Sequence, residues 1–223
     1  MNDSKTHWLG LRGKLKNYDV RLGTASGQDY VHDPKHLSFA ICRYKFAGKM
    51  LAGLGHVIEV GSGDGFGAPL VAQGVRELTC TDIDEEQLSD NRERMTVFKN
   101  INFEYYDFRE NAYPKTADGL YLLDVLEHIF PEEEDRFMRH LTRSLTPHGV
   151  SVIGTPNATA DVYASPNSKV GHVNLKQGEQ LRELCQRHFH HVFMFGMNDE
   201  ILHTGFLPMA HYLMALCAGP KQG

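Results

Sequence analysis

Short apolar runs of strand type alternate with segments of helical hydrophobic spacing along most of the chain. The strand-type runs cover residues 56–60, 78–81, 101–105, 119–123, 150–154, 191–195 and 212–217. Strands that alternate with helices are typical of α/β folds, in which helices cover both faces of a mostly parallel sheet. The pattern therefore predicts an α/β protein with a seven-stranded, mostly parallel sheet.

Proline, acidic residues and glycine mark the ends of the predicted helices. Pro34 and Pro131 suit the first turn of a helix, and the three Glu residues after Pro131 complement the positive helix N-terminus. The predicted helices cover residues 34–52, 66–73, a stretch that starts at 84 or 89 and runs to 98, 131–146 and 177–188. Helices are thus predicted after the first, second and fourth strands, as in an α/β sheet.

Length and charge limit the classes of partner. The 223 residues suit one α/β domain, and we divide them into an N-terminal segment, 1–35, and a main domain, 36–223. The N-terminal segment is polar and Gly-rich, and is predicted to be a lid or partly disordered. The net charge of −5 and the lack of a Lys/Arg block argue against broad binding to nucleic acid or anionic membranes. The net charge of the whole chain is compatible with local basic patches.

The cysteine pattern and the hydropathy suggest a cellular location. Cys42, Cys80, Cys185 and Cys217 form no C-x-x-C pair, so they indicate buried thiols in a reducing compartment. The N-terminus lacks the apolar core of a signal peptide, and no run approaches the ~20 apolar residues of a membrane span. We therefore expect a cytoplasmic protein with no membrane partner.

The loop after the first predicted strand carries alternating glycines. Glu59 precedes Gly61, Gly63, Gly65 and then Gly67, between a strand and a helix. Such a loop lets a ligand lie against bare backbone at a helix N-terminus. Residues 63–68 also satisfy the dinucleotide pattern G-x-G-x-x-A. The negative charge of Glu59 disfavours a pyrophosphate and favours a cofactor that brings positive charge, such as S-adenosylmethionine.

Residues 59–65 resemble the first motif of the class I S-adenosylmethionine-dependent methyltransferases, E/D-x-G-x-G-x-G. The resemblance implies a Rossmann-like class I methyltransferase fold whose last strands add an antiparallel pair. It also implies a set of cofactor contacts from successive strand ends. The implied cofactor-binding residues are Glu59, Gly61, Gly63 and Gly65 in the loop, Asp82 at the ribose with Ile83 beside it, Asp107 and Phe108 at the adenine, and Leu123.

Two of these contacts have simpler alternatives. Asp82 is favoured as the ribose ligand over a helix cap, because Asp84 is the better cap candidate. Asp107 and Phe108 are almost as well explained as a loop acid and a core aromatic.

Residues 124–128, Asp-Val-Leu-Glu-His, resemble a signature that follows the fourth strand in many small-molecule methyltransferases, nearest to the ubiquinone-biosynthesis O-methyltransferases. The resemblance places Asp124, Glu127 and His128 nearest the path of the methyl group. One interpretation makes His128 a general base, with Asp124 as its catalytic neighbour. A second makes Asp124, Glu127 and His128 ligands of Mg²⁺. A third has Glu127 and His128 only cap and orient the next loop.

A third segment, Thr155-Pro156-Asn157, is similar to the T-P-N segment that ends strand five in the same family. The long loop after it, 158–173, is expected to carry specificity. His172 in this loop could approach His128, as a second base or ligand, but a solvated loop histidine is the preferred interpretation. Arg43 resembles an arginine that contacts the methionine carboxylate in some relatives, but an exposed helix charge is the preferred interpretation.

Together these motifs predict an enzyme that moves a methyl group from S-adenosylmethionine to a hydroxyl, or less readily an amine, of a small-molecule acceptor. Mg²⁺ is an optional second cofactor. The alternatives are an RNA 2′-O-methyltransferase, an NAD(P)-dependent oxidoreductase and a non-catalytic binding module. Net charge argues against the first, and Glu59 argues against the second.

Overall fold

Eight strands form one sheet in the part of the chain that the computed structural model describes, residues 3–221. The strands are β1 (His56–Val60), β2 (Glu77–Asp82), β3 (Ile101–Tyr105), β4 (Ala117–Leu123), β5 (Leu145–Pro156), β6 (Phe189–Asn198), β7 (Ile201–His203) and β8 (Tyr212–Pro220). Their order in the sheet is β3-β2-β1-β4-β5-β8-β6-β7. β1 to β5 are mutually parallel, whereas β8, β6 and β7 are joined by antiparallel pairings. The predicted α/β class and mostly parallel sheet are confirmed.

The predicted number of strands is wrong by one. The additional strand is β7, three residues that fold back on β6 through a tight turn at Asp199, where φ is 50°. Three residues are too short to show the alternation from which a strand is predicted.

Helices cover both faces of the sheet. The α-helices are α1 (Ser4–Arg12), α2 (Thr24–His32), α3 (Pro34–Met50), α4 (Ala68–Ala72), α5 (Glu85–Arg94), α6 (Pro131–Arg143), α7 (Pro166–Gly171) and α8 (Gly178–His188). Short 3₁₀ turns cover Leu126–His128, Ala158–Tyr163 and Leu207–Met209. Asp84 caps α5 by accepting a hydrogen bond from the Gln87 N–H at 3.1 Å, as expected from the sequence. No helix in residues 3–221 is long and apolar enough to cross a bilayer.

The core has two parts, one on each face of the sheet. Leu120 and Leu122 of β4 point to one face, where α6 and α8 pack, and Tyr121 and Leu123 point to the other, where α3, α4 and α5 pack. A strand buried on both faces has the continuous apolar sequence that β4 shows.

The strand order places a crevice at the carboxyl ends of β1 and β4. The chain runs outward from β1 through β2 to β3 on one side, and from β4 to β5 on the other. Ligands of open α/β sheets bind at such a switch in strand order. Residues after β1, β2, β4 and β5 therefore share one end of the molecule.

The N-terminal segment contains α1 and α2, and α3 begins within it. The Ser26 N–H donates to Asp64 Oδ2 at 2.7 Å, which attaches α2 to the glycine loop. The division of the chain at residue 35 stays a prediction. Residues 1–2 of the N-terminal segment and residues 222–223 of the main domain lie outside the described part of the chain.

Candidate active site

The glycine loop has the geometry that its sequence predicts. Gly61, Gly63 and Gly65 have φ values of 72°, 52° and 69°, a region that favours glycine. A Cβ on Gly61 would lie 2.4 Å from a methyl group of Val125, so the loop packs tightly on the segment after β4. A Cβ on Gly63 would have Gln87 Oε1 as its nearest neighbour, at 4.0 Å. The loop is thus tightly packed at Gly61 and has open space beside Gly63.

The residues around the loop fit a nucleoside cofactor. The buried Ser62 hydroxyl has no hydrogen-bond partner. Asp82 accepts from the Gly63 N–H at 2.8 Å and from the Ile83 N–H at 2.7 Å, which fixes its carboxylate beside the loop. Its Oδ1 also accepts from the Asp84 N–H at 3.1 Å. Because a carboxylate accepts about four hydrogen bonds, Asp82 keeps capacity for about one more, from a ribose hydroxyl. Ile83 is 51% exposed and offers an apolar surface next to this carboxylate.

Glu59 lies beneath the loop, and its side chain is buried from solvent. It accepts a hydrogen bond from the Cys80 thiol at 3.1 Å. Burial raises the pKa of Glu59 to about 7, although the hydrogen bond from the Cys80 thiol opposes this rise. Its assignment as a cofactor-binding residue stays a prediction, and the geometry supports an indirect role beneath the loop.

The adenine-side residues have well-defined partners. Asp107 pairs with Arg109 at 2.7 Å, and the hydrogen bonds from this guanidinium lower the pKa of the carboxyl. Phe108 is buried in the core beside Tyr106, with 4.9 Å between ring centroids. Leu123 is also buried. The structure therefore gives Phe108 a packing role, and the predicted cofactor contacts of Asp107, Phe108 and Leu123 stay predictions.

A cavity of about 660 Å³ lies at the carboxyl end of the sheet. Its walls come from α2 and α3, from the segment after β4, from the segment after β5, and from the start of β8. Among the lining residues are Arg43, Asp124, Glu127, His128, His172 and Tyr212. The structure thus brings the three polar residues of the 124–128 motif to one cavity.

His128 is held in one orientation. Its Nδ1 lies 2.9 Å from the Gly171 carbonyl oxygen, which can only accept, so Nδ1 carries the proton. Nε2 is then the basic nitrogen. The His172 ring lies 5.2 Å from the His128 ring, centroid to centroid. Burial, and then the proximity of His128, lower the pKa of His172. His172 therefore approaches His128, the alternative to a solvated loop histidine.

Glu127, His128 and His172 can hold a metal ion, since their ligand atoms lie within 4.8 Å of one another. Glu127 Oε2 accepts from the Thr155 hydroxyl at 3.0 Å, whereas Glu127 Oε1 and His172 Nδ1 are buried without a partner. Burial, reinforced by Asp124, raises the pKa of Glu127 to about 8. A bound cation would satisfy both orphaned atoms and favour the ionised carboxylate.

Asp124 lies outside this ligand group and pairs with Arg43. Arg43 Nη1 donates to the two carboxylate oxygens of Asp124 at 2.8 and 3.1 Å. The guanidinium also lies over the Tyr212 ring, 3.9 Å from its centroid. The Arg43 side chain is only 15% exposed. The preferred interpretation of Arg43 as an exposed helix charge is therefore wrong, and the ligand set that includes Asp124 is not the cluster observed.

Several lining residues carry no signal in the sequence. Asp29 and His36 form a hydrogen-bonded pair of 2.8 Å across the junction of α2 and α3. Tyr212 reaches Asp124 because β8 pairs with β5, and its hydroxyl accepts from the Asp124 N–H at 3.2 Å. Only the three-dimensional pairing of distant segments brings these groups together. His128 and Glu127, by contrast, are marked by a contiguous motif.

Comparison with known proteins adds independent evidence. Residues 57–149 match the family described as Methyltransferase domain. The ubiquinone biosynthesis O-methyltransferase of Rickettsia typhi is 33% identical over 113 residues, or 48% of this chain and 43% of the relative. A probable S-adenosylmethionine-dependent methyltransferase of Mycolicibacterium smegmatis is 29% identical over 102 residues, or 45% and 38%. The chain spans less than half the length of these curated relatives.

Among solved structures, the DhpI–SAH complex has a TM-score of 0.66 and 16% identity, covering 88% of this chain and 92% of that one. This likeness shows a common fold. The family match includes the glycine loop, the end of β2 and the 124–128 motif, whereas Arg43, His172 and Tyr212 of the candidate site lie outside the matched residues. The sequence match shows a methyltransferase domain over residues 57–149, similar in sequence to S-adenosylmethionine-dependent methyltransferases, and the structural likeness shows that the chain has the class I methyltransferase fold.

Proposed function

We propose that this chain transfers the methyl group of S-adenosylmethionine to a hydroxyl of a small-molecule acceptor, with His128 as the general base. One observation carries the proposal. The Nδ1–H of His128 is fixed on a backbone carbonyl, so the basic Nε2 is available in the cavity lined by the segment after β4, the segment on which Gly61 of the glycine loop packs. The name of the Rickettsia relative, an O-methyltransferase, supports a hydroxyl acceptor.

Each part of the site has a role in this reaction. When bound, the cofactor supplies a methyl group on a positively charged sulfur, which a nucleophilic oxygen can attack. The open backbone at Gly63 and the carboxylate of Asp82 would hold its nucleoside. His128 would take the hydroxyl proton onto Nε2 as the oxygen attacks. The cavity walls would orient the acceptor and exclude water, a large part of the rate in such transfers.

The charges around the cavity support a small acceptor over a polynucleotide. Asp29, Asp33 and Asp161 line it, and its arginine, Arg43, is already paired with Asp124. A phosphate backbone would meet carboxylates here instead of the free cations that nucleic-acid sites provide.

The Glu127, His128 and His172 cluster favours a second form of the same reaction. A divalent cation on these three side chains would lower the pKa of an acceptor hydroxyl, so that no imidazole base is needed. His128 would then be a ligand and not the proton acceptor.

Cofactor binding is tested first, by calorimetric titration with S-adenosylhomocysteine and with NAD⁺ as the control ligand. We expect micromolar binding of S-adenosylhomocysteine alone, and its loss in Asp82→Ala. Asp19→Ala, an exposed change of the same kind, should bind normally. Binding of NAD⁺ alone would contradict the cofactor assignment.

The base is tested by methyl transfer from labelled S-adenosylmethionine to a pool of phenols and catechols. His128→Gln should lower kcat by about 10²–10⁴-fold with unchanged S-adenosylhomocysteine affinity. His172→Gln and treatment with EDTA should have little effect if His128 is the base. Loss of activity in His172→Gln and in EDTA, with recovery on adding Mg²⁺ to the wild type, would replace the base mechanism with the metal one.

A further inference from the structure

A helix without a single buried side chain begins the described chain. α1 is exposed throughout, and Trp8 is 62% exposed. Its helical course continues beyond Arg12, because the N–H groups of Lys14 and Leu15 donate to the carbonyls of Leu11 and Arg12 at 3.0 and 3.1 Å. Trp8, Leu11 and Leu15 are spaced i, i+3 and i+7, so they share one side of this element.

Basic side chains are concentrated in the same segment. Residues 1–21 contain five of the 23 Lys and Arg residues of the chain but only two of its 28 Asp and Glu residues. The basic residues are Lys5, Arg12, Lys14, Lys16 and Arg21. The segment is therefore positive although the whole chain carries a net charge of −5. This is the kind of local patch that the net charge of a chain does not reveal.

We propose that residues 4–16 dock on the surface of an anionic membrane. The boundary between lipid headgroups and acyl chains accepts Trp and Leu on one side of a helix and attracts Lys and Arg beside them. An RNA would attract the same cations but offer no favourable environment to Leu9, Leu11 and Leu15, all of which are exposed. The acidic remainder of the molecule would be repelled by an anionic surface, so the contact is confined to this segment.

The docked segment is joined to the folded body at a defined point. Arg94 donates to the Arg21 carbonyl at 3.2 Å and to the Asp64 carbonyl at 2.7 Å, and Asp64 accepts from the Ser26 N–H. α2 is thus attached to the glycine loop, while residues 4–16, which precede it in the chain, are exposed to solvent. A helix of this length and composition adsorbs reversibly and does not span the bilayer.

The chain contains its own reporter, since Trp8 is its single tryptophan. Its fluorescence is measured while full-length protein is titrated with vesicles of phosphatidylglycerol and phosphatidylcholine, or of phosphatidylcholine alone. We expect a blue shift and co-sedimentation with the anionic vesicles only, both weakened by high salt. Lys14→Glu with Lys16→Glu should weaken the partition coefficient by roughly tenfold or more.

Matched controls separate this inference from misfolding and from general charge effects. Lys49→Glu with Lys115→Glu makes the same charge change at exposed positions elsewhere and should bind vesicles nearly as the wild type does. All variants should keep their affinity for S-adenosylhomocysteine, because no residue of α1 is buried. Leu11→Ser should reduce binding with the charge unchanged.

Four outcomes would overturn the inference. The first is no response to anionic vesicles. The second is an equal response to neutral ones. The third is a blue shift that depends on protein concentration without lipid, which would assign the helix to a second copy of the chain. A shift on adding single-stranded RNA, with none on vesicles, would likewise assign it to nucleic acid.

Discussion

At the scale of single residues, Asp124 combines backbone strain with a charge pair. Its φ of 57° is in the left-handed region, which costs a residue with a side chain of the order of 1 kcal/mol. Its carboxylate pairs with Arg43, whose guanidinium is buried over Tyr212. Strained residues of this kind often occur at functional sites because surrounding contacts hold them in place. Here those contacts are the pair with Arg43 and the hydrogen bonds that the Asp124 N–H donates to the Gly154 carbonyl and the Tyr212 hydroxyl.

Replacing Asp124 by Gly or by Ala separates strain from charge. Both variants lose the Arg43 pair, but only glycine tolerates the left-handed backbone. We expect Asp124→Gly to be more stable than Asp124→Ala by about 1 kcal/mol, measured by urea unfolding. At Asp90, inside α5, the order should reverse, with Ala the more stable by a similar amount. Equal stabilities of the two Asp124 variants would show that the backbone there is unstrained.

At the scale of elements, the attachment of α2 to the glycine loop depends on one close approach. Gly23 precedes α2, and a Cβ there would lie 2.3 Å from the Cβ of Asp64, whose carboxylate accepts the Ser26 N–H. The φ of Gly23 is −73°, so its backbone would accept alanine without strain. The absence of a side chain at Gly23 is therefore what lets α2 reach the loop.

Gly23→Ala should displace α2, and Gly27→Ala in the same helix is its matched control. A Cβ on Gly27 would have its nearest neighbour, Leu22 Cβ, at an ordinary 3.8 Å. We expect amide hydrogen exchange in residues 24–32 to be faster in Gly23→Ala than in the wild type. In Gly27→Ala it should be slowed, because alanine stabilises a helix by up to about 1 kcal/mol relative to glycine. Unchanged exchange in Gly23→Ala would mean that α2 is attached by other contacts.

The elements also show which parts of the structure were accessible from sequence. Periodicity predicts the parallel strands and their helices because each is long enough to repeat its pattern, whereas the three residues of β7 are not. The contiguous motif predicts Glu127 and His128 as neighbours in the site. The sequence does not predict the contacts of Arg43 and Tyr212 with Asp124, because these contacts require α3 and β8 to meet at the end of β4.

At the scale of the whole molecule, two carboxyl groups without exposed surface make stability depend on pH. Burial raises the pKa of Glu59 to about 7 and that of Glu127 to about 8. In the unfolded chain both ionise near their ordinary value of 4.5. Between the ordinary pKa of 4.5 and the raised pKa values, the folded state binds more protons than the unfolded state. The contribution of these two groups to the free energy of unfolding therefore falls as pH rises from about 5 to about 8.

Glu59→Gln should remove the Glu59 share of this dependence. A pKa difference of about 2.5 units corresponds to about 3 kcal/mol, gained by the unfolded state between pH 5 and pH 8. Urea unfolding across this range should give a shallower decline for Glu59→Gln than for the wild type. Glu200→Gln, at an exposed position, should follow the wild type. A parallel decline in all three proteins would show that Glu59 ionises normally.

The three-residue strand β7 has a consequence for how these molecules behave together. It forms one edge of the sheet, and an edge strand offers unpaired backbone groups to any extended chain nearby. The His203 ring is hydrogen-bonded to Asn198 at 2.8 Å, which ties β7 back to β6. A strand so short leaves little template for a neighbouring molecule to extend. The hairpin thus ends the sheet in a way that opposes edge-to-edge aggregation.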